Sequence, residues 1–323
     1  MNKRTKRWLI AALFPVLAGC IVLGVVMSIV KGDYMKLAVN EYETQYFEIK
    51  DEYRNIQIVS KFADVKMIFS DANQSTEIAC CEQKKIQYSV SVKDGMLVIE
   101  TVDTRKWYDH IGINGFHVPY ITVSVPKENF ESISITTNTG NVEIPEEIHF
   151  ESISVSANTG NITCKASAED FIKLKTTTGN IAVKELSATS LALSASTGKI
   201  MASDITCENE FSVSISTGKT VLNNISCKKL ESVGNTGSIF MKNIIAAESL
   251  SVMRNTGDIE FNRCDAAEFF AKTTTGNIEG TLLSEKTFIT KTTSGAVHVP
   301  RGTSGGRCEL ETNSGDIEIE IVN

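Results

Sequence analysis

Apolar and polar residues alternate along most of the chain after residue 130, and the alternation restarts at a regular interval. A Thr-Gly or Ser-Gly pair marks each restart, and successive glycines of these pairs are 19 or 20 residues apart. Alternation with a period of two, rich in β-branched residues, predicts short strands with one buried face. Glycine adopts the positive φ that a sharp corner needs, so each pair is predicted to form a turn. The turn glycines are Gly140, Gly160, Gly179, Gly198, Gly218, Gly237, Gly257, Gly276, Gly295 and Gly315.

Other positions repeat in step with these glycines. The second residue after each glycine is apolar in every repeat except at Thr220, and the seventh residue before it is apolar throughout, from Ile133 to Cys308. One unit of this length cannot bury its own apolar face, whereas stacked units can, with neighbouring coils about 4.8 Å apart. The pattern therefore predicts an all-β fold, a single-stranded parallel β-solenoid (β-helix) with coils of 19–20 residues. The usual handedness of parallel crossovers favours a right-handed coil.

The first 30 residues have a different pattern. Four basic residues precede an uncharged apolar run from Trp8 to Val30, which is long enough to span a bilayer. The positive-inside rule then predicts a cytoplasmic tail (1–7), a transmembrane anchor (8–30) and a solenoid outside the cytoplasm. Leu-Ala-Gly-Cys at residues 17–20 also resembles the signal of a bacterial lipoprotein, so a lipidated Cys20 stays open as an alternative, as does a cleaved, secreted form.

Between the anchor and the repeats the chain is less regular. We predict a polar stalk (31–46), irregular N-terminal coils that also cap the solenoid (47–132), and regular β-solenoid repeats (133–323). The final strand carries acidic residues at its outward positions, so we expect it to form the outer edge, where charge discourages end-to-end pairing. Three runs in the irregular part are strand-like: Asn55–Ser60, Val65–Ser70 and Met96–Thr101.

The longest interruption, residues 103–120, is rich in aromatic and histidine side chains. Such side chains on a loop are typical of a binding surface. The alternative is that the loop folds back and plugs the open end of the coil. The candidate binding residues are Trp107, Tyr108, His110, Phe116, His117 and Tyr120.

The sequence contains no evident catalytic, cofactor-binding or metal site. Gly218-Lys219 resembles the end of a phosphate-binding loop, but the upstream glycine and the following helix are missing. Polysaccharide-cleaving β-helices need clustered carboxylates, and here the acids are expected not to stack, because Glu143 lies far from Asp258 and Glu260. His149 and His298 are isolated, and no His/Cys/Asp set has metal-ligand spacing. These observations predict a protein without enzymatic activity and without a cofactor.

Charge restricts the choice of partners. The whole chain has a formal net charge of −7, and its first 30 residues carry four basic and no acidic side chains, which leaves −11 for the remainder. Such a charge argues against nucleic-acid binding and against general adhesion to anionic lipid.

Eight cysteines raise the question of disulfides. Cys207 and Cys227 fall in one column of the repeat, where in-register stacking would hold their Cβ atoms slightly farther apart than an unstrained disulfide prefers. Free thiols are favoured, and a Cys207–Cys227 bond stays open. Cys164 falls in an inward column and is expected to be a core residue.

The order of these features resembles a known bacterial family. The stretches "DVKMIFSD", "KDGMLVIE" and "ITVSVPKENFESISITTNTGNVEI" precede serial Thr-Gly coils and follow an apolar anchor. Together they are similar to the membrane-anchored β-strand-repeat proteins described as "putative adhesins", over roughly residues 47–323. The resemblance implies an envelope-anchored surface protein that binds a glycan, a wall polymer or a protein, with no catalytic residues to carry over. It also implies an alternative role in an envelope-stress sensing or regulatory complex that acts through a membrane partner.

Overall fold

The computed structural model describes residues 2–29, 31, 42–71, 75–106, 118–126, 129–302 and 304–322. The chain divides into two compact units. Unit 1 comprises Met1–Glu43, Glu82–Gln87 and Val102–His117, and unit 2 comprises Thr44–Cys81, Tyr88–Thr101 and Val118–Asn323.

One helix and 22 strands make up the described structure. The elements up to the first regular coil are α1 (Lys3–Ile29), β1 (Tyr42–Ile49), β2 (Asn55–Ser60), β3 (Asp64–Phe69), β4 (Thr76–Gln83), β5 (Ile86–Lys93), β6 (Met96–Asp103) and β7 (Tyr120–Val125). The strands of the central coils are β8 (Asn129–Thr139), β9 (Val142–Ile144), β10 (His149–Thr159), β11 (Ile162–Cys164), β12 (Ala168–Thr178), β13 (Ile181–Thr197), β14 (Ile200–Thr217), β15 (Thr220–Thr236), β16 (Ile239–Thr256) and β17 (Ile259–Thr275). The last strands are β18 (Ile278–Leu282), β19 (Lys286–Ser294), β20 (Val297–His298), β21 (Gly306–Ser314) and β22 (Ile317–Ile321).

Unit 1 contains the apolar helix α1. Its segment Lys6–Ile29 has a mean hydropathy of 2.7 over its most apolar window, long and apolar enough to cross a membrane. The same length and composition fit a signal sequence near the N-terminus. The helix therefore supports either a membrane anchor or a signal sequence.

Unit 2 is the predicted parallel β-solenoid. Equivalent residues of successive coils pair in register: Ile153 of β10 lies beside Ile133 of β8 on one side and Ile172 of β12 on the other. Inward positions alternate with outward ones along each strand, and the inward columns of Ile, Val, Leu and Phe form one continuous core. Cys164 is fully buried in this core, as predicted. The strand-like runs of the irregular part correspond to β2, β3 and β6.

The turn glycines bring the corners of neighbouring coils into backbone contact. Gly179 has φ near +150°, and a Cβ atom there would lie 2.0 Å from the carbonyl oxygen of Gly160. Beside the glycines runs a ladder of side chains, in which the Oδ1 atoms of Asn141 and Asn161 each accept a hydrogen bond from a backbone N–H of the next coil. Each corner therefore fixes the position of the next one.

The N-terminal coils do not follow chain order. Strands β2 and β3 pair with β8 and β9, so they form the coil directly beside the first regular repeat. On their other side they pair with β6 and β7, which form a coil farther out although they come later in the chain. Strand β4 then pairs antiparallel with β7.

The C-terminal end shows the same kind of exchange and corrects one prediction. Strands β21 and β22 pair with β17 and β18 on one side and with β19 and β20 on the other. The last strand is therefore an inner one, and its acidic residues do not protect an outer edge. In the described chain the outer coil at this end is formed by β19 and β20. The prediction assumed that coils stack in the order of the sequence. It was wrong because every coil carries the same apolar pattern and can stack on any other.

One buried arginine explains the exception at Thr220. Arg254 is 4% exposed and enters the core at a position that is apolar or small in several other coils. Its guanidinium donates to the Ser232 Oγ at 3.0 Å and to the Thr220 Oγ1 at 3.4 Å. Gly234, in register with Arg254, leaves room for the side chain. Burial lowers the pKa of Arg254 to about 10. Four departures from the repeat, at Thr220, Ser232, Gly234 and Arg254, thus create one polar pocket.

A second buried cation lies where the chain crosses from β18 to β19. Lys286 is 3% exposed, and its Nζ donates to the Asp265 Oδ1 at 2.7 Å, the Ala266 carbonyl at 2.6 Å and the Ser284 Oγ at 2.7 Å. All three donor hydrogens of the ammonium are therefore used. The contact joins the start of the outer coil to β17, past the inserted β21.

Candidate functional site

Most of the loop that was predicted to bind a partner, residues 103–120, lies outside the described residues. This holds for Trp107, Tyr108, His110, Phe116 and His117. Tyr120 begins strand β7, and its hydroxyl lies 3.1 Å from the Thr44 Oγ1. The depressions that the structure describes lie instead on the outward faces of unit 2.

A shallow groove crosses the outward face of β12–β15. Its floor is formed by Ala192 and Ser194 of β13, which lie in register with Ser212 and Ser214 of β14. We call this depression the serine groove. Its volume is about 520 Å³. The floor is low because two adjacent coils carry short side chains at the same two positions.

Longer side chains form the two walls of the serine groove. Lys173 and Lys175 of β12 pair with the floor residues of β13 on one side. Glu231 lies in register with Ser212 on the other side, and Val233 follows it two residues later. The groove runs parallel to the strands, so an extended chain lying in it would cross the solenoid axis at a right angle.

A second depression of about 260 Å³ shares lining residues with the serine groove. It adds Phe171, which is 38% exposed, together with Ser190 and Glu210. The combined lining offers hydroxyl groups, one aromatic ring and charged groups of both signs. These are groups that hydrogen-bond to hydroxyls and stack on a flat apolar ring face.

A larger cavity of about 1080 Å³ lies at the N-terminal coils of unit 2. Its charged lining is dominated by six carboxylates, with Lys50, Arg54 and His149 as the basic or titratable residues. Glu131 accepts a hydrogen bond from Asn55 at 3.0 Å and lies 3.6 Å from Arg54. This acidic lining disfavours anionic ligands. The carboxylates are Asp51, Glu52, Asp94, Glu131, Glu151 and Glu169.

Carboxylates do stack on the coils, contrary to the prediction. Glu260, Glu279 and Glu318 occupy one outward column of three neighbouring coils, and His298 follows them in the outer coil. Burial, followed by the charges of neighbouring carboxylates, Glu260 foremost, raises the pKa of Glu279 above its ordinary value. Among the residues that the structure describes, no group of three or more His, Cys, Asp or Glu has the arrangement to hold a metal ion. The prediction failed because it compared positions along the chain rather than columns.

The core cysteines are free thiols. Cys207 and Cys227 lie inward, beside Ala188 and Ala246 respectively, and neither is bonded. Burial raises the pKa of the Cys227 thiol to about 12, with a smaller contribution from Cys207. Burial likewise raises the pKa of Cys164 to about 12.

These thiols are expected to resist alkylation in the folded protein. At pH 8 a thiol with a pKa near 12, such as Cys164 or Cys227, is ionised in about one molecule in 10⁴, and the thiolate is the reactive form. Burial also raises the pKa of Cys207. Mass spectrometry after brief iodoacetamide treatment should find five cysteines unmodified in the native chain and modified after denaturation: Cys164, Cys207, Cys227, Cys264 and Cys308. A mass two units lower for the Cys207–Cys227 peptide pair would contradict this by revealing a disulfide.

Comparison with known proteins identifies relatives of the whole solenoid. The model of the Toastrack DUF4097 family matches residues 53–218 and 203–323. A solved structure of a "putative adhesin" from Parabacteroides distasonis is 14% identical, with a TM-score of 0.50, over 85% of this chain and 98% of that chain. A "putative adhesin" from Parabacteroides merdae is 11% identical, with a TM-score of 0.46, over 88% and 98%. A "putative lipid binding protein" from Parabacteroides distasonis is 15% identical, with a TM-score of 0.43, over 86% and 97%. At such identities the likeness shows the fold alone, and comparison with curated proteins found no match.

Proposed function

The chain belongs to the Toastrack DUF4097 family, and from this premise we propose that it is a non-enzymatic binding module that holds a glycan of the cell envelope in the serine groove. The observation that carries the proposal is the pair of short-residue columns in β13 and β14. They leave a groove between the longer side chains of β12 and β15, and repeated coils provide a long regular surface suited to polymers.

The chemistry of the groove fits a carbohydrate. Ser194, Ser212 and Ser214 present hydroxyls that both donate and accept hydrogen bonds. Lys173 adds donors and Glu231 adds acceptors on opposite walls. Phe171, partly exposed at one end, offers a face on which a sugar ring can stack. Opposite charges on the two walls favour a neutral polymer over a strongly anionic one.

The groove offers binding groups rather than a reactive set. Its described lining contains serine and lysine hydrogen-bonding groups and glutamates, but neither histidine nor cysteine. General-base activation of a serine needs a neighbouring base held by a third group. A binding role without turnover is the simpler use of these residues.

The apolar helix would hold the module at the membrane. We propose an uncleaved anchor at residues 8–30, a cytoplasmic tail at 1–7 and a stalk at 31–46, with the solenoid outside the cytoplasm. The helix continues without interruption through Cys20, which suits an anchor, and lipidation of Cys20 is the alternative form of attachment. A role in envelope-stress sensing would require a membrane partner.

Filling the groove is expected to abolish glycan binding. Ser212→Tyr places a large side chain on the floor and should weaken retention on immobilised envelope polysaccharide at least tenfold, measured with the full chain in detergent. Ser134→Tyr is the matched control, because Ser134 occupies the same outward column four coils away. Equal loss in both variants, or no loss in either, would contradict a site in the groove. Capture of a membrane protein, with no retention on polysaccharide, would support the sensing role instead.

A further inference from the structure

A second outward face of unit 2 carries an apolar strip. Ala182, Met201, Val221 and Phe240 lie in register on the first halves of β13, β14, β15 and β16. They are half-buried by one another but point away from the core, since their strand neighbours Ile200 and Ile239 are buried inside it. At about 4.8 Å between coils, the strip is roughly 14 Å long. Four consecutive apolar residues at an outward position are unusual on this chain, where serine, threonine and charged residues otherwise prevail.

Lysines border this strip on both sides. Lys199 and Lys219 precede Met201 and Val221 by two residues, and Lys242 follows Phe240 by two, so all three share the outward face. Within the part of the chain that the structure describes, none of these three lysines forms a salt bridge. Lys184, also beside the strip, differs from them because it is paired with Glu185 at 2.6 Å.

The two lysines at the corner also interrupt a structural ladder. In the coils before them the same column holds Asn141, Asn161 and Asn180, whose side chains bond the next coil. Lys199 and Lys219 cannot accept such a bond, because an ammonium group has no acceptor. Two successive coils thus lack a stabilising contact and carry a positive charge in its place.

The face changes sign beyond Phe240. The column that contains the apolar strip continues into Glu260, Glu279 and Glu318. The strip and its lysines are therefore bounded by acidic coils at one end. The net negative charge of the chain is compatible with a local basic patch, because exposed charges more than about 10 Å apart are largely screened at 0.1 M salt.

We propose that this apolar–basic strip docks onto a bilayer surface that contains anionic lipid. Met201, Val221 and Phe240 would enter the boundary between headgroups and acyl chains, while Lys199, Lys219 and Lys242 contact lipid phosphates. Binding of this kind scales with buried apolar area and with attraction to anionic lipid. Two observations select a membrane as the occupant: the complementary charge of the unpaired lysines, and the helix in the same chain that is long enough to cross a bilayer. The inference does not depend on glycan binding in the serine groove.

The test uses the full chain held by its helix in a nanodisc of zwitterionic lipid. The protein is mixed with separate vesicles of phosphatidylcholine alone or of phosphatidylcholine with 30% phosphatidylglycerol, and its flotation with the vesicles is measured. We expect at least fivefold more protein with the anionic vesicles, falling as salt rises. The triple variant Lys199→Glu, Lys219→Glu, Lys242→Glu should lose this difference, and Met201→Ser with Phe240→Ser should reduce binding at least threefold.

A charge-matched variant distinguishes binding through the lysines of the strip from an effect of the net charge of the whole protein. Lys228→Glu, Lys229→Glu, Lys291→Glu changes the total charge equally but lies outside both the strip and the serine groove, so it should float like the wild type. Equal flotation with both vesicle types, or equal loss in the two triple variants, would overturn the proposal. Thermal melting of each variant excludes unfolding as the cause of a loss. Normal vesicle binding with failed polysaccharide retention would reject only the serine groove, and the reverse result would reject only the strip.

Discussion

Replacement of Gly198 by alanine is expected to lower the free energy of unfolding by about 4 kcal/mol or more, enough to unfold much of the solenoid at moderate urea. The added Cβ atom would lie 1.8 Å from the carbonyl oxygen of Gly179, a backbone atom that cannot rotate away. Gly198 also has φ near +148°, a region that alanine rarely adopts. To relieve the clash the two coils must separate, which breaks the hydrogen bond from the Gly179 N–H to the Thr197 carbonyl.

Urea unfolding followed by circular dichroism measures this loss, and Gly95→Ala provides the control. Gly95 has φ of +74°, but a Cβ atom there would meet nothing within 4 Å. Its replacement carries only the backbone penalty, about 1 kcal/mol. Similar losses of unfolding free energy in the two variants would mean that positive φ alone accounts for the need for glycine at the corners. Contact between neighbouring coils would then not contribute.

Replacement of Lys286 by methionine is expected to cost about 1–3 kcal/mol, the range found when a buried polar group loses its hydrogen-bond partner. Methionine keeps the length of the side chain but removes the Lys286 donor from the Ala266 carbonyl and leaves Asp265 with its weaker neutral donors, Ser284 among them. The control is Lys291→Met on the same strand β19. Lys291 is 72% exposed and pairs with Glu311 at 3.1 Å, and such surface pairs contribute at most about 1 kcal/mol. Equal melting temperatures for the two variants would contradict the importance of the buried contact.

The same contact predicts a pH dependence. Burial alone would raise the pKa of Asp265, but hydrogen bonds from Lys286 and Ser284 outweigh it and hold the pKa below its ordinary value. A carboxyl whose pKa is lowered by folding contributes stability above its unfolded pKa, about 3.9, and loses it as pH falls through the folded value. Stability should therefore decline below about pH 4. The decline should be shallower in Asp265→Asn, and an unchanged slope in acid unfolding would contradict this assignment.

The repeat made most of the fold predictable, because its signals are local. Alternation located the strands, and the Thr-Gly pairs located the corners of every regular coil. Thr220 could be recognised as an exception but not explained, because Arg254, its partner, lies 34 residues away. The stacking order of the coils at the two ends could also not be predicted from the sequence. Coils with the same apolar columns can occupy the same position in the stack. Only the connecting segments determine the order in which these coils stack.

The candidate sites were hidden for a related reason. Ser194 or Met201 alone does not indicate a binding site, because a single polar or apolar residue at an outward position is common. The information lies in columns: alignment of the repeats on their turn glycines places Ser194 beside Ser214 and Met201 beside Val221. The glutamate column would have appeared in the same alignment. The aromatic loop drew attention instead because its composition stands out along the chain.

The exchanged coils at the C-terminal end affect the order in which the molecule can assemble. A chain that is synthesised or translocated from its N-terminus presents β19 before β21. At that moment β19 faces an open edge of β17 that carries the same pattern of apolar columns and the same corner glycine. The native arrangement reserves that edge for β21, which emerges later. Folding at this end therefore requires either a pause of β19 away from the edge or a strand displacement once β21 arrives. Coil-by-coil growth, the usual route of a repeat protein, stops two coils short of completion.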